Sequence, residues 1–172
     1  MSEITYYCQE ISNFPAGWGQ VIQWSAGEPT FHSDILSYWD EIGSLQMSGK
    51  AGIGWFEVRR RPFNGNEVER HRFTPEALLC IHGAAICFVG EPVDPEKTDA
   101  QGFGAFYTEQ GKGFIFSPGV WHAIPFPVTE KAVFWVIFRK GTAQTDLEVL
   151  NLEQERGFRF RISLSDQDKG VK

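Results

Sequence analysis

The stretch ERHRFTPEALLCIHG, residues 69–83, decides how this chain is read. Glu69 and His71 stand two positions apart, so on a strand both side chains point the same way. Thr74 and Pro75 mark a turn, and Glu76 opens the apolar run EALLCI, which returns as a second strand. The segment reads as a buried hairpin with a histidine and two glutamates at its edge. Polar groups in that place need either solvent or a function.

Outward from this hairpin the signal is overwhelmingly β. GQVIQW (19–24), GIGWFEVRR (52–60), VERHRF (68–73) and ALLCIHGAAICFVG (77–90) are strand candidates, followed by FGAFYTE (103–109) and GFIFS (113–117). KAVFWVIFR (131–139), DLEVLNL (146–152) and GFRFRISL (157–164) complete the set. The last alternates Phe158, Phe160 and Ile162 with Arg159, Arg161 and Ser163, the period of a strand with one face inside. DILSYWDEI (34–42) is read as one or two helical turns capped by Asp34, and residues 91–102 as a loop. Short strands punctuated by Gly and Pro indicate an all-β sandwich, jelly roll or barrel. Trp55, Phe56, Phe103, Phe106, Phe114 and Phe116 are expected in its interior.

With 172 residues the chain makes one domain, its core spanning about 10–164 and its tail, 165–172, expected to fray. A net charge of −6 excludes the basic surface of a nucleic-acid binder. Arg59, Arg60 and Arg61 form too short a cluster to change this and read as a solvated strand end. Cys8, Cys80 and Cys87 lack disulfide-scaffold spacing, and the last two read as buried free thiols. No segment has the form of a signal peptide or membrane span, so a soluble cytoplasmic protein is expected.

Written as spacing, the opening stretch is Glu69-x-His71-x4-Glu76-x6-Gly83, and a second one reads Gly111-x5-Ser117-x-Gly119-x2-His122. Together these resemble the two motifs of the cupin superfamily. In that family the first position is usually a second histidine, here Glu69, and a proline usually stands at the place of Ser117. The resemblance implies an all-β double-stranded β-helix, a jelly-roll barrel with little helix. It also implies a divalent metal (Ni, Mn, Zn or Fe) on Glu69, His71, Glu76 and His122. The plainer alternative makes Glu69 a solvated strand charge, Glu76 a turn residue and both histidines structural.

Within the superfamily, Glu69-Arg70-His71, Gly104-Ala105-Phe106 and Gly119-Val120-Trp121-His122 resemble the ureidoglycolate lyase family, over about residues 10–152. Members commonly carry Tyr-His where this chain has Phe116-Ser117, a second histidine at Ala123, and Gln at Glu76. The resemblance implies cleavage of a small carboxylate substrate, ureidoglycolate, into glyoxylate and urea, and a homodimer. Breaking the C–N bond of a carbinolamide needs one proton removed from oxygen and one delivered to nitrogen, and Glu76, His71 and His122 are the candidates. Arg139 and Trp121 are the candidate substrate-binding residues, with a strand-end surface charge and a core tryptophan as their ordinary alternatives. A metal-dependent isomerase or oxygenase, or a non-enzymatic ligand-binding barrel, remains open on the same fold.

Overall fold

The computed structural model describes residues 2–24 and 27–164. In chain order the first strands are β1 (Ser2–Gln9), β2 (Gly19–Gln23), β3 (Phe31–Ser33), β4 (Leu36–Tyr38) and β5 (Ala51–Arg59). Next come β6 (Asn64–Gly65), β7 (Glu67–Arg70), β8 (Glu76–His82), β9 (Ala84–Gly90), β10 (Phe103–Glu109) and β11 (Lys112–Phe116). The remainder are β12 (Trp121–His122), β13 (Phe126–Pro127), β14 (Lys131–Arg139), β15 (Glu148–Asn151) and β16 (Phe158–Ser163). Two short helices, α1 (Thr142–Thr145) and α2 (Leu152–Arg156), flank β15.

These strands form two large sheets. The nine-stranded sheet runs β15-β7-β12-β9-β10-β1-β16-β6, with β13 also paired to β9, and the five-stranded sheet runs β2-β11-β8-β14-β5. Leu78, Cys80, Phe114, Phe116 and Phe134 of the smaller sheet pack against Ala85, Cys87, Val89 and Phe106 of the larger. The core therefore lies between the sheets, as in the expected all-β jelly roll. A second cluster, including Ile86, Phe88, Phe103, Trp121, Phe158 and Phe160, covers the other face of the larger sheet. β9 is consequently buried at all seven positions, which is why AAICFVG lacks the alternation of a half-wet strand. Each fully buried phenylalanine contributes roughly 1.5–3 kcal/mol.

Gly83 separates β8 from β9 with φ +78°, and a Cβ there would press into the Lys131 carbonyl and the Thr129 hydroxyl. Only glycine turns the chain here without strain.

The structure departs from the sequence expectation in several places. Residues 34–42 form no helix: β3 and β4 pair as a small hairpin, with His32 bonded to Ser37 and Tyr38 to Asp40 at 2.9 and 2.7 Å. Local side-chain bonds of this kind compete with helix formation. Trp55 is 67% exposed rather than interior, because it alternates with Phe56, which packs against the core, and so lies on the other face of β5 beside the half-exposed Trp135. Phe103 is buried, but in the outer cluster. β1 carries no clear signal in the sequence; it pairs parallel with both β10 and β16. Phe56, Phe106, Phe114 and Phe116 do pack in or against the central core. The expected fraying tail, 165–172, lies outside the described residues. Among those described, no helix is long and apolar enough to cross a membrane.

Candidate active site

β7 delivers Glu69, and β12 lies beside it with His122 as the direct cross-strand partner of Glu69. His71 follows the last residue of β7, so it belongs to the turn rather than to the strand. The Gly119 N–H donates to the His71 carbonyl at 2.7 Å, which ties the two motif halves together through the backbone. Glu76 is the first residue of β8, opposite Phe116 of β11. The cluster thus draws one carboxylate from each sheet.

Glu69, His71 and His122 place a ligand atom each within 4.8 Å of one another. Glu76 stands beside this group, 2.9 Å from His71 Nε2 and 3.8 Å from His122 Nε2. The four residues that the spacing linked are therefore together, three as a compact ligand group and Glu76 as a hydrogen-bonded neighbour.

Proton positions follow from the acceptors. His71 Nδ1 lies 2.7 Å from the Asp146 carbonyl, which only accepts, so Nδ1 donates. Nε2 faces a carboxylate, so without a cation the ring is an imidazolium paired with ionised Glu76. Burial disfavours the charged ring, but Glu76, the Asp146 carbonyl and Glu69 outweigh it and raise the His71 pKa. Burial would likewise raise Glu76, yet the His71 hydrogen bond and the charges of His122 and His71 bring it below the ordinary carboxylate value.

His122 is set up differently. Its Nδ1 donates to the Val120 carbonyl at 3.1 Å, so Nε2 is the nitrogen turned toward the cluster. That nitrogen is buried without a hydrogen-bond partner among the described residues, 3.7 Å from Glu69 Oε1 and 3.8 Å from Glu76 Oε2. An unpartnered imidazole nitrogen flanked by two carboxylates is a donor set suited to a divalent cation. Phe116 stacks on the His122 ring at 5.1 Å, and Phe138 meets His71 edge-on at 5.8 Å.

Residues 17–158 match the family model for ureidoglycolate lyase. The chain belongs to the ureidoglycolate lyase family. The family takes its name from a lyase reaction on ureidoglycolate. No curated protein matches the chain. Among solved structures it is similar to peruvianin-I, a cysteine peptidase from Thevetia peruviana latex, at 12% identity and TM-score 0.43. That match covers 59% of this chain and 56% of the other. A point mutant of Bacillus subtilis oxalate decarboxylase OxdC matches at 19% identity and TM-score 0.42, over 62% of this chain and 25% of that one. Oxalate decarboxylase of Lactobacillus farciminis, in a formate complex, matches at 14% identity and TM-score 0.42, over 62% and 28%. The chain thus spans about half the length of the first of these and about a quarter of the decarboxylases. At such scores these likenesses carry no functional argument.

A cavity of about 280 Å³ opens onto all four cluster residues of this family member. Ala123, at the family's usual second histidine, is in its wall. Trp121 is not: it is fully buried, donates from its indole to the Val93 carbonyl at 3.0 Å, and lies under the Arg70 guanidinium at 4.4 Å. Arg139 does not line the cavity either, and its guanidinium donates to the Thr145 hydroxyl at 3.2 Å.

Two residues that matter here escape sequence reasoning. Asp146 holds His71, and its carboxylate accepts from the N–H groups of Arg72 at 2.9 Å and Phe73 at 3.1 Å. Arg61, read as part of a solvated strand end, donates to the Ile124 and Pro125 carbonyls at 2.6 Å each. It packs over Phe126 at 4.0 Å, and so anchors a segment that forms part of the cavity wall. An acidic residue before a strand and one of three consecutive arginines offer no spacing signal for such roles.

Proposed function

We propose that the chain cleaves ureidoglycolate to glyoxylate and urea at this cluster, with Glu69, His71 and His122 holding a divalent cation and Glu76 moving the proton. Family membership supports the reaction. The observation that carries the site is the buried, unpartnered Nε2 of His122 between two carboxylates. Imidazole and carboxylate donors suit Ni, Mn, Zn or Fe. When bound, such a cation supplies positive charge for the substrate carboxylate and lowers the pKa of the adjacent hydroxyl.

The bond changes are few. The carbinol O–H breaks as the carbonyl of glyoxylate forms, the C–N bond breaks, and the urea nitrogen gains a proton. Glu76 is ionised, buried beside the cavity and outside the compact ligand group, so it accepts the hydroxyl proton and returns it to nitrogen. Transfer of this kind is worth roughly 10²–10⁴ in rate. The Val120 carbonyl and the Phe116 ring keep His122 aimed inward. A metal-free version is favoured by the 2.9 Å His71–Glu76 bond, with Glu76 as base and the His71 imidazolium as acid.

Elemental analysis of the purified protein, paired with glyoxylate release from ureidoglycolate with and without added divalent ion, separates these. Metal-dependent glyoxylate release supports the cation route, and release by stripped protein supports the His71–Glu76 pair. Bound metal with no glyoxylate removes ureidoglycolate as the substrate.

The same reading includes a homodimer in the cytoplasm. β5 is a sheet edge carrying Ile53 at 75% and Trp55 at 67% exposure, a surface suited to a second copy. Buried free Cys80 and Cys87 suit a reducing compartment. Sedimentation equilibrium tests the first point: a monomer at micromolar concentration removes the dimer.

A further inference from the structure

The cavity is chemically two-sided. Glu69, His71, Glu76 and His122 form one end, and Phe56, Leu78, Ala123, Val136 and Phe138 dominate the rest of the wall. Among the described residues, no Lys, Arg, Asn, Gln, Ser or Thr side chain lines it, and apart from the cluster the only hydrogen-bonding side chain is the Trp55 indole. Arg61, which faces the neighbouring pocket, already donates to two carbonyls. Ureidoglycolate is polar at both ends. Its carboxylate and hydroxyl suit the cluster, and apart from the Trp55 indole the side chains lining the rest of the cavity offer its terminal amide no hydrogen-bond partner. An apolar group at that end would instead be buried favourably.

We infer a further substrate class for the same site: beside ureidoglycolate, the chain cleaves N-acyl-α-hydroxyglycines with alkyl or aryl acyl groups, which carry an apolar group where ureidoglycolate carries its terminal amine. This rests on the lyase reading above and widens its substrate class. The step balances without any oxidant or further reactant. The hydroxyl O–H breaks and a C=O forms, the C–N bond breaks, and nitrogen takes the proton, giving glyoxylate and a primary amide. Val136 and Leu78 are register partners on β14 and β8 and face this part of the cavity together.

The test is glyoxylate release by the full chain, with divalent ion present, from ureidoglycolate and from N-acetyl-, N-butanoyl- and N-benzoyl-α-hydroxyglycine. The expected kcat/KM rises about fourfold for each added methylene, and the butanoyl and benzoyl substrates exceed ureidoglycolate by roughly tenfold or more. In Val136→Thr, close in shape but adding a hydroxyl, the butanoyl-to-ureidoglycolate ratio falls several-fold. If ureidoglycolate is preferred and the acyl series is flat or falling, the inference is overturned while the lyase reading stands. An unmoved ratio in Val136→Thr likewise overturns it. Glyoxylate from none of the four substrates removes both readings.

Discussion

Asp146 grips His71 from two directions. Its carbonyl oxygen accepts the His71 Nδ1 proton at 2.7 Å, and its carboxylate accepts from the two backbone N–H groups that follow the histidine. The imidazole is thereby fixed in orientation, and its Nε2 is turned toward the cluster.

Asp146→Ala is expected to lower divalent-ion affinity and kcat/KM by roughly 10–100-fold. Asp146→Asn, which keeps one accepting oxygen, should recover part of both. Isothermal titration with Mn and Zn, alongside kinetics, checks this. Unchanged affinity in the alanine variant would show that the turn holds His71 without the carboxylate.

His122→Ala removes the inward nitrogen and one ring stacked on Phe116, while the apolar residues of the two core clusters stay in place, so the fold is expected to persist. Glyoxylate release should drop by roughly 10² or more, with the far-UV circular dichroism spectrum retained. Normal turnover by a folded His122→Ala protein would sink the proposed site.

Stability of the metal-stripped protein should depend on pH through the His71–Glu76 pair. The raised His71 pKa contributes stability that is complete below its ordinary value of 6.5 and is lost as pH climbs through the raised one. The lowered Glu76 pKa contributes stability that is complete above 4.5 and is lost as pH falls through the depressed one. The pair's contribution is therefore greatest between pH 4.5 and 6.5. Melting curves across pH for wild type and Glu76→Gln check it: the variant should show a smaller difference between that window and neutral or alkaline pH.

Arg61→Ala should cost about 2 kcal/mol of stability by freeing two charged hydrogen bonds. It should also raise KM more than it lowers kcat, because Ile124 and Pro125 belong to the wall rather than to the cluster. Arg61→Lys recovers the charge but not the fork that spans both carbonyls. A kcat loss with KM unchanged would place Arg61 in the chemistry instead.

Much of this protein is legible locally. Alternation along residues 157–164, the glycine turn at Gly83 and the apolar runs of β10 and β14 follow from residue type and short spacing, because backbone period and turn sterics act within a few residues. The same locality makes Glu69, His71, Glu76 and His122 stand out as two motif halves. Tertiary structure alone decided how they are used. Asp146 lies 75 residues from His71, and Arg61 lies 63 and 64 residues from the carbonyls it holds. Contacts at that separation exist only once the sheets have closed, and no local pattern records them. Burial decided in the same way that Trp121 is core, that Trp55 is exposed, and that the His122 Nε2 is left without a partner among the described residues.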